Sequence, residues 1–227
     1  TRQTNSYYFY QNTGQSMEVY GIATGIGTRL KWPDNQFVLY NEISAQTYKL
    51  TDWDYYFIFK DGISNNISWR ISLQRNSTDQ PIYPRTGSDF QLGVQLTPPY
   101  SAFRSSDTDY SSMKDDEKYK WIEYHKWTFK ATTYNKIIGD LVLMTRANFG
   151  YLGLYNRDLG YSPFEGYILG GDGMSGYNTY GSETIGLRGY SNYSLTPRVN
   201  NSYAGNVYDK FTIELRYPLI LQPQSTI

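Results

Sequence analysis

Strict alternation of apolar and polar residues over long segments is the feature that most constrains the fold of this chain. Between residues 141 and 151, Leu143 and other apolar residues share one parity, whereas polar residues such as Arg146 share the other. A period of two places successive side chains on opposite faces of a β-strand, and a helix cannot produce it. The same alternation predicts strands around residues 17–30, 37–46, 67–74, 90–96, 126–132 and 207–217.

The connections between these strands alternate between short and long. Transmembrane β-barrels are built in this way, with tight periplasmic turns and longer outer loops. The pattern therefore predicts an all-β fold, a transmembrane antiparallel up-and-down β-barrel whose long segments are extracellular. The short turns occupy residues 32–35, 83–87 and 135–139, and the long polar segments occupy residues 51–65, 98–118 and 156–206.

Strand length and tyrosine content agree with a membrane location. Strands of ~9 to 11 residues or more are long enough to cross a bilayer. The chain has 25 Tyr against 10 Phe, and a ring with a polar tip suits a membrane interface, a sugar-binding face or an adhesive surface. A soluble β-sandwich is the alternative, since it also alternates apolar and polar residues. Aromatic residues predicted to lie at strand ends in the interface are Trp32, Tyr48, Trp53, Tyr100, Trp121 and Tyr217.

Composition argues against several other classes of function. The 21 basic and 21 acidic residues balance and provide no electrostatic argument for nucleic-acid binding. The absence of cysteine excludes a disulfide scaffold and a thiolate metal site. No apolar run approaches the ~18 residues of a spanning helix, and Thr1 begins the chain without a signal peptide, as expected of a mature form or a fragment.

No catalytic residue, metal site or cofactor is predicted. His125 is the only histidine, and no nucleophile accompanies it at a recognisable spacing. The acidic stretch between residues 107 and 117 lacks the glycine and the terminal glutamate of a calcium loop. We therefore expect a protein that is not an enzyme.

Four motifs, in an order and spacing that run through essentially the whole chain, resemble the BamA family of outer-membrane barrel assembly proteins, in the form found in Bacteroidetes. They are the segments 27–34, 170–176, 187–190 and 214–218. That family joins periplasmic POTRA domains to a sixteen-stranded barrel. The resemblance implies that residues 1–227 are a partial outer-membrane β-barrel domain with about seven of those strands. It also implies that residues 1–15 are the preceding outer loop, and residues 156–206 the sixth extracellular loop.

The resemblance assigns a role to Arg188. In the family, a V-R-G-F/Y motif of the sixth loop folds into the barrel, where its arginine meets acidic residues on inner strand faces. Leu187-Arg188-Gly189-Tyr190 matches this latch motif with Leu in the first position, and Glu214 matches one acidic partner. Gly170-Gly171-Asp172-Gly173 is the supporting loop motif. An arginine facing a carboxylate inside a lumen gains charge-assisted hydrogen bonds; the alternative is a solvated arginine in a flexible loop.

The implied function is the folding and insertion of β-barrel proteins into the outer membrane, without a cofactor. The implied partners are outer-membrane lipids, unfolded β-barrel clients and the accessory lipoproteins or surface subunits of an assembly complex. Because the loop arginine motif also occurs in secretion relatives, a transport or secretion barrel of the same superfamily is an alternative. A soluble, tyrosine-rich, glycan-binding β-sandwich is a second alternative.

Overall fold

The computed structural model describes residues 2–4, 15–53, 60–105, 108–172, 182–199, 202–203 and 205–219. Within these residues the regular structure is almost entirely β, with one short helix, α1 (Asp115–Lys118), and a 3-10 turn at Tyr100–Phe103. The strands are β1 (Arg2–Thr4), β2 (Ser16–Arg29), β3 (Phe37–Thr51), β4 (Gly62–Asn76), β5 (Gly87–Leu96), β6 (His125–Ile138), β7 (Leu141–Gly153), β8 (Gly166–Leu169), β9 (Ser182–Ile185), β10 (Arg198–Val199), β11 (Ser202–Tyr203) and β12 (Val207–Arg216).

Seven long strands form one antiparallel sheet in the order β2-β3-β4-β5-β6-β7-β12. Each strand pairs with the next long strand of the chain, and β8 to β11 lie within the connection between β7 and β12. The predicted antiparallel up-and-down arrangement of seven strands is confirmed. The short strand β1 adds to the free edge of β2, so residues 2–4 form a strand where the resemblance implied a loop.

The sheet has one apolar face and one polar face. On the apolar face large side chains are exposed, including Ile22 at 77%, Phe211 at 74% and Ile213 at 77%. In a β-sandwich these residues would be buried between two sheets, but among the described residues no second sheet covers them. This arrangement argues against the sandwich. Exposed apolar side chains on strands of 10 to 15 residues are what a lipid-facing barrel wall requires.

Among the helical segments that the structure describes, none has the length and hydrophobicity to cross a membrane.

The buried core lies at one end of the sheet, where the long connections fold over the polar face. Trp53 comes from the first long connection, Ile122 from the second and Phe164 from the third, and all three are at most 3% exposed. The expectation that Tyr48 and Trp53 lie at a membrane interface is wrong, because they are only 1% and 3% exposed. Tyr48 points to the polar face, where it stacks on Phe164 with ring centroids 4.3 Å apart.

The glycine side of β2 is covered by the neighbouring strand. A Cβ atom at Gly25 would collide with the ring of Tyr40, and one at Gly21 would press against Gln46. Tyr40 Oη donates a hydrogen bond to Glu42 at 2.9 Å, which keeps the ring in that position. The glycines therefore allow side chains from β3 to lie flat on the polar face of the sheet.

Candidate functional site: the long loop on the polar face

The connection between β7 and β12 has its own secondary structure and packs on the polar face of the sheet. Strands β8 and β9 form a parallel pair in which Tyr167 lies opposite Glu183. Strands β10 and β11 form an antiparallel pair. A main-chain hydrogen bond of 2.7 Å from Leu152 N to Asn206 O ties the end of the connection to β7. We call residues 156–206 the long loop.

The glycine-rich motif and the arginine motif of the long loop are brought together. Gly171 N donates to Tyr190 O at 2.8 Å, and Leu187 N donates to Gly171 O at 2.8 Å. Gly171 has a φ of 78°, and a Cβ atom there would collide with Asn192, so only glycine fits this turn. Asp172 lies beside this contact, but Gly173 falls outside the described residues.

Gly189 forms a bend directly after Arg188. Gly189 has a φ of 89°, a left-handed conformation that other residues rarely adopt. Arg188 is exposed on this turn, and the side chain of Tyr190 is 50% exposed. The turn therefore presents the side chain of Arg188 on the exposed surface of the loop.

Glu214 lies on the polar face of β12, as predicted, and its direct partner is Arg216. Arg216 donates to the two carboxylate oxygens of Glu214 at 3.0 Å and 3.5 Å. No hydrogen bond or ion pair joins Arg188 directly to Glu214 in the part of the chain that the structure describes, so their direct contact stays a prediction.

A buried ion cluster, which the sequence patterns did not reveal, holds the long loop to the seven-stranded sheet, which we call the wall. Lys126 Nζ on β6 lies 3.0 Å from Glu165 Oε2 and 2.9 Å from Glu183 Oε1. The Lys126 side chain is 5% exposed and that of Glu165 4%, whereas Glu183 is 40% exposed. Complete burial raises the pKa of the Glu165 carboxyl, and the charge of Lys126 opposes this shift. We call Lys126, Glu165 and Glu183 the lysine cluster.

Aromatic packing surrounds the lysine cluster. The ring of Tyr167 lies 5.1 Å from Lys126 Nζ, within the range of a cation–π interaction. Tyr167 also packs edge-on against Tyr208 of β12, with ring centroids 4.7 Å apart. A Cβ atom at Gly150 would collide with both tyrosine rings. The small residue on β7 therefore makes room for the long loop to lie directly on the sheet.

A second lysine fixes the long loop close to the arginine motif. Lys210 on the polar face of β12 donates through Nζ to the carbonyl oxygen of Gly186. Gly186 directly precedes the motif that contains Arg188, and it directly follows β9. Alternation of apolar and polar residues assigns Lys126 and Lys210 to the polar face, but it does not identify their partners on a distant loop.

The residues first considered for catalysis or metal binding are used in other ways. His125 is on the apolar face and accepts a hydrogen bond from Trp127 Nε1 at 3.0 Å. Asp109 accepts hydrogen bonds from Ser111 within its own turn, and these bonds lower the pKa of Asp109. Over the described ranges, no group of three or more His, Asp or Glu side chains is arranged to hold a metal ion.

Long antiparallel strands, an apolar face and a polar face covered by one of the chain's own loops are features of the wall of an outer-membrane β-barrel. The sequence matches the Omp85 superfamily domain over residues 2–227, and the chain belongs to this superfamily.

Comparison with solved structures gives the same fold. The chain is similar to the crystal structure of BamA from Haemophilus ducreyi lacking POTRA domains 1–3, with a TM-score of 0.61 and 16% sequence identity. The match covers 94% of this chain and 39% of that structure, so the chain spans about two fifths of its length. Comparison with curated protein sequences finds no match.

Proposed function

We propose that the chain is part of the barrel of an outer-membrane protein assembly factor of the BamA type, in the form found in Bacteroidetes. It would fold and insert β-barrel proteins into the outer membrane. The observation that carries the proposal is the long loop, which packs on the polar face and joins its glycine-rich motif to Leu187-Arg188-Gly189-Tyr190. The domain match over residues 2–227 supports it.

The proposed activity requires no bond chemistry. The apolar face contacts lipid and disturbs its order, while strand edges elsewhere in the complete barrel offer main-chain hydrogen-bonding groups to an incoming client strand. We accordingly propose that the protein is not an enzyme and uses no cofactor. Its proposed partners are outer-membrane lipids, unfolded β-barrel clients and accessory lipoproteins or surface subunits.

In the complete protein we propose a sixteen-stranded barrel preceded by POTRA domains, with residues 156–206 as the sixth extracellular loop. Arg188 would act as the latch of this loop and Glu214 as one partner. The bond from Lys210 Nζ to Gly186 O supports this role, because it brings the arginine motif to β12, the strand that carries Glu214. Arg216 Nε lies 3.0 Å from Glu214 Oε1. In the complete protein Arg216 and Arg188 would both bind the Glu214 carboxylate.

A transport or secretion barrel of the same superfamily is the second proposal. The observation that favours it is the position of the long loop, since a loop packed on the polar face through Lys126 and Glu165 at 3.0 Å could equally plug a pore. Its substrate would be a single secreted protein rather than many membrane proteins.

Depletion of the complete protein in its own host tests the two proposals. An assembly factor predicts that many unrelated β-barrel proteins disappear together from the outer membrane and that their unfolded forms accumulate in the periplasm. Normal levels of these barrels, with one secreted protein retained in the periplasm, would contradict assembly and support secretion.

A further inference from the structure

The lysine cluster places a nearly buried cation between the wall and the long loop. Lys126 is 5% exposed, and it lies within 3.0 Å of carboxylate oxygens from two separate parts of the loop. Removing one partner of a buried ion pair is strongly destabilising, because an uncompensated charge stays buried. Undocking the long loop would separate Lys126 from both carboxylates at once.

The two carboxylates come from the two chain segments that contain the loop's parallel pair. Glu165 directly precedes β8, and Glu183 lies in β9 opposite Tyr167. One side chain on β6 therefore holds both strands of this pair. Two contacts fix the position of β9 relative to the wall. Lys126 binds Glu183 near the start of β9, and Lys210 binds Gly186 O just after the end of β9.

The arginine motif follows directly from this anchored strand. Leu187 N is held by Gly171 O at 2.8 Å, and Arg188 is the next residue. Between Glu183 and Arg188 the chain is thus attached to the wall through Lys126 and Lys210. Within the loop it is held by the pairing of β9 with β8 and by the bond from Leu187 N to Gly171 O. The segment between the lysine cluster and Arg188 is therefore held in place.

We propose that Lys126 is a positioning residue for Arg188, a buried clamp that sets where the exposed arginine meets the polar face. This inference rests on the proposed latch role of the long loop and extends it to a second, independent point of attachment. Lys126 acts on Arg188 through β9.

The test uses the complete membrane-embedded protein and compares Lys126→Met with Lys130→Met. Both lysines lie on the polar face of β6, but Lys130 is exposed, which makes it a matched control. The chain has no cysteine, and any cysteine elsewhere in the complete protein is first replaced by serine. A Ser162→Cys reporter, at a long-loop position that is only 8% exposed, can then be labelled in intact cells by a membrane-impermeant maleimide. We expect Lys126→Met to raise the labelling rate roughly tenfold or more, and Lys130→Met to leave it unchanged.

Glu183→Gln provides a second variant if Lys126→Met does not accumulate in the membrane. It removes one ion pair from the half-exposed side of the cluster, and we expect an intermediate rise in labelling. Equal labelling of Glu183→Gln and Lys130→Met would overturn the clamp, as would equal labelling of the two lysine variants.

A double-mutant cycle separates positioning from general stabilisation. If Lys126 positions Arg188, the effect of Arg188→Ala on loop proteolysis should be lost in the Lys126→Met background, because the arginine is already displaced. Fully additive effects would mean that Lys126 stabilises the loop without positioning the arginine. These outcomes do not depend on the levels of other outer-membrane proteins, so failure of the clamp and failure of the assembly proposal are distinguishable.

Discussion

Replacing Ile22 by arginine tests directly whether the apolar face of the sheet contacts lipid. Ile22 is the seventh residue of β2, which has 14 residues, and its side chain is 77% exposed. At ~3.3 Å per residue the strand is about 45 Å long, and a tilt of ~45° reduces this to roughly 30 Å along the membrane normal. Ile22 therefore lies close to the bilayer midplane.

The position of Ile22 sets the magnitude of the effect. Arginine facing lipid at the midplane of a transmembrane barrel costs about 2 to 4 kcal/mol. In a water-exposed sheet the same substitution would change stability by no more than about 0.5 kcal/mol. Ala23→Arg is the matched control, because Ala23 is the next residue, is also exposed and points to the polar face.

The assay is urea-dependent folding of the complete protein into lipid vesicles, followed by the electrophoretic shift between folded and unfolded barrel. We expect Ile22→Arg to lower the free energy of unfolding by about 2 to 4 kcal/mol, and Ala23→Arg to have a clearly smaller effect. Equal effects of the two substitutions would refute the assignment of the faces.

Three further predictions concern the long loop. Arg188→Ala and Glu214→Gln should each increase cleavage of the loop by protease added outside the cell, and unchanged cleavage would contradict the latch. Gly171→Ala forces a residue with a side chain into a φ of 78°, so we expect a loss of about 1 to 3 kcal/mol in loop docking, measured by the same proteolysis, whereas Gly139→Ala, with nothing within 4 Å of its Cβ, should leave the loop docked. Phe164→Ala removes a ring that is 0% exposed and should cost about 3 to 5 kcal/mol, measured by hydrogen exchange of the loop; exchange at the unmodified rate would show that the aromatic core does not hold it.

The strands and their faces could be predicted because alternation is a local property. Residues 207–217 alternate so regularly that the sequence alone assigns Phe211 and Glu214 to opposite faces, and the structure agrees. The short turns could also be located, since a loop of only a few residues is enough to connect two adjacent antiparallel strands. Tyr48 and Trp53 were assigned to the wrong environment, because an aromatic residue at a strand end is compatible with an interface and with a core.

The site could be predicted only in part. The sequence identified the arginine motif, the glycine-rich motif and Glu214 separately. It contained no signal that Gly171 would bond to the backbone of Leu187 and Tyr190, since those contacts join distant parts of an irregular loop. The ion pair of the buried Lys126 could not be predicted for the same reason, because Lys126 and Glu165 are 39 residues apart.

By itself, the sequence determined an antiparallel sheet with one apolar face suited to contact with lipid. Successive side chains of a strand point to opposite faces, so this alternation can be seen residue by residue without any distant contact. Only the tertiary structure decided where the long loop lies and which charges hold it. Burying Lys126 is tolerable only when Glu165 and Glu183 arrive at the same place. That requirement is met by packing across the whole polar face, which no local pattern encodes.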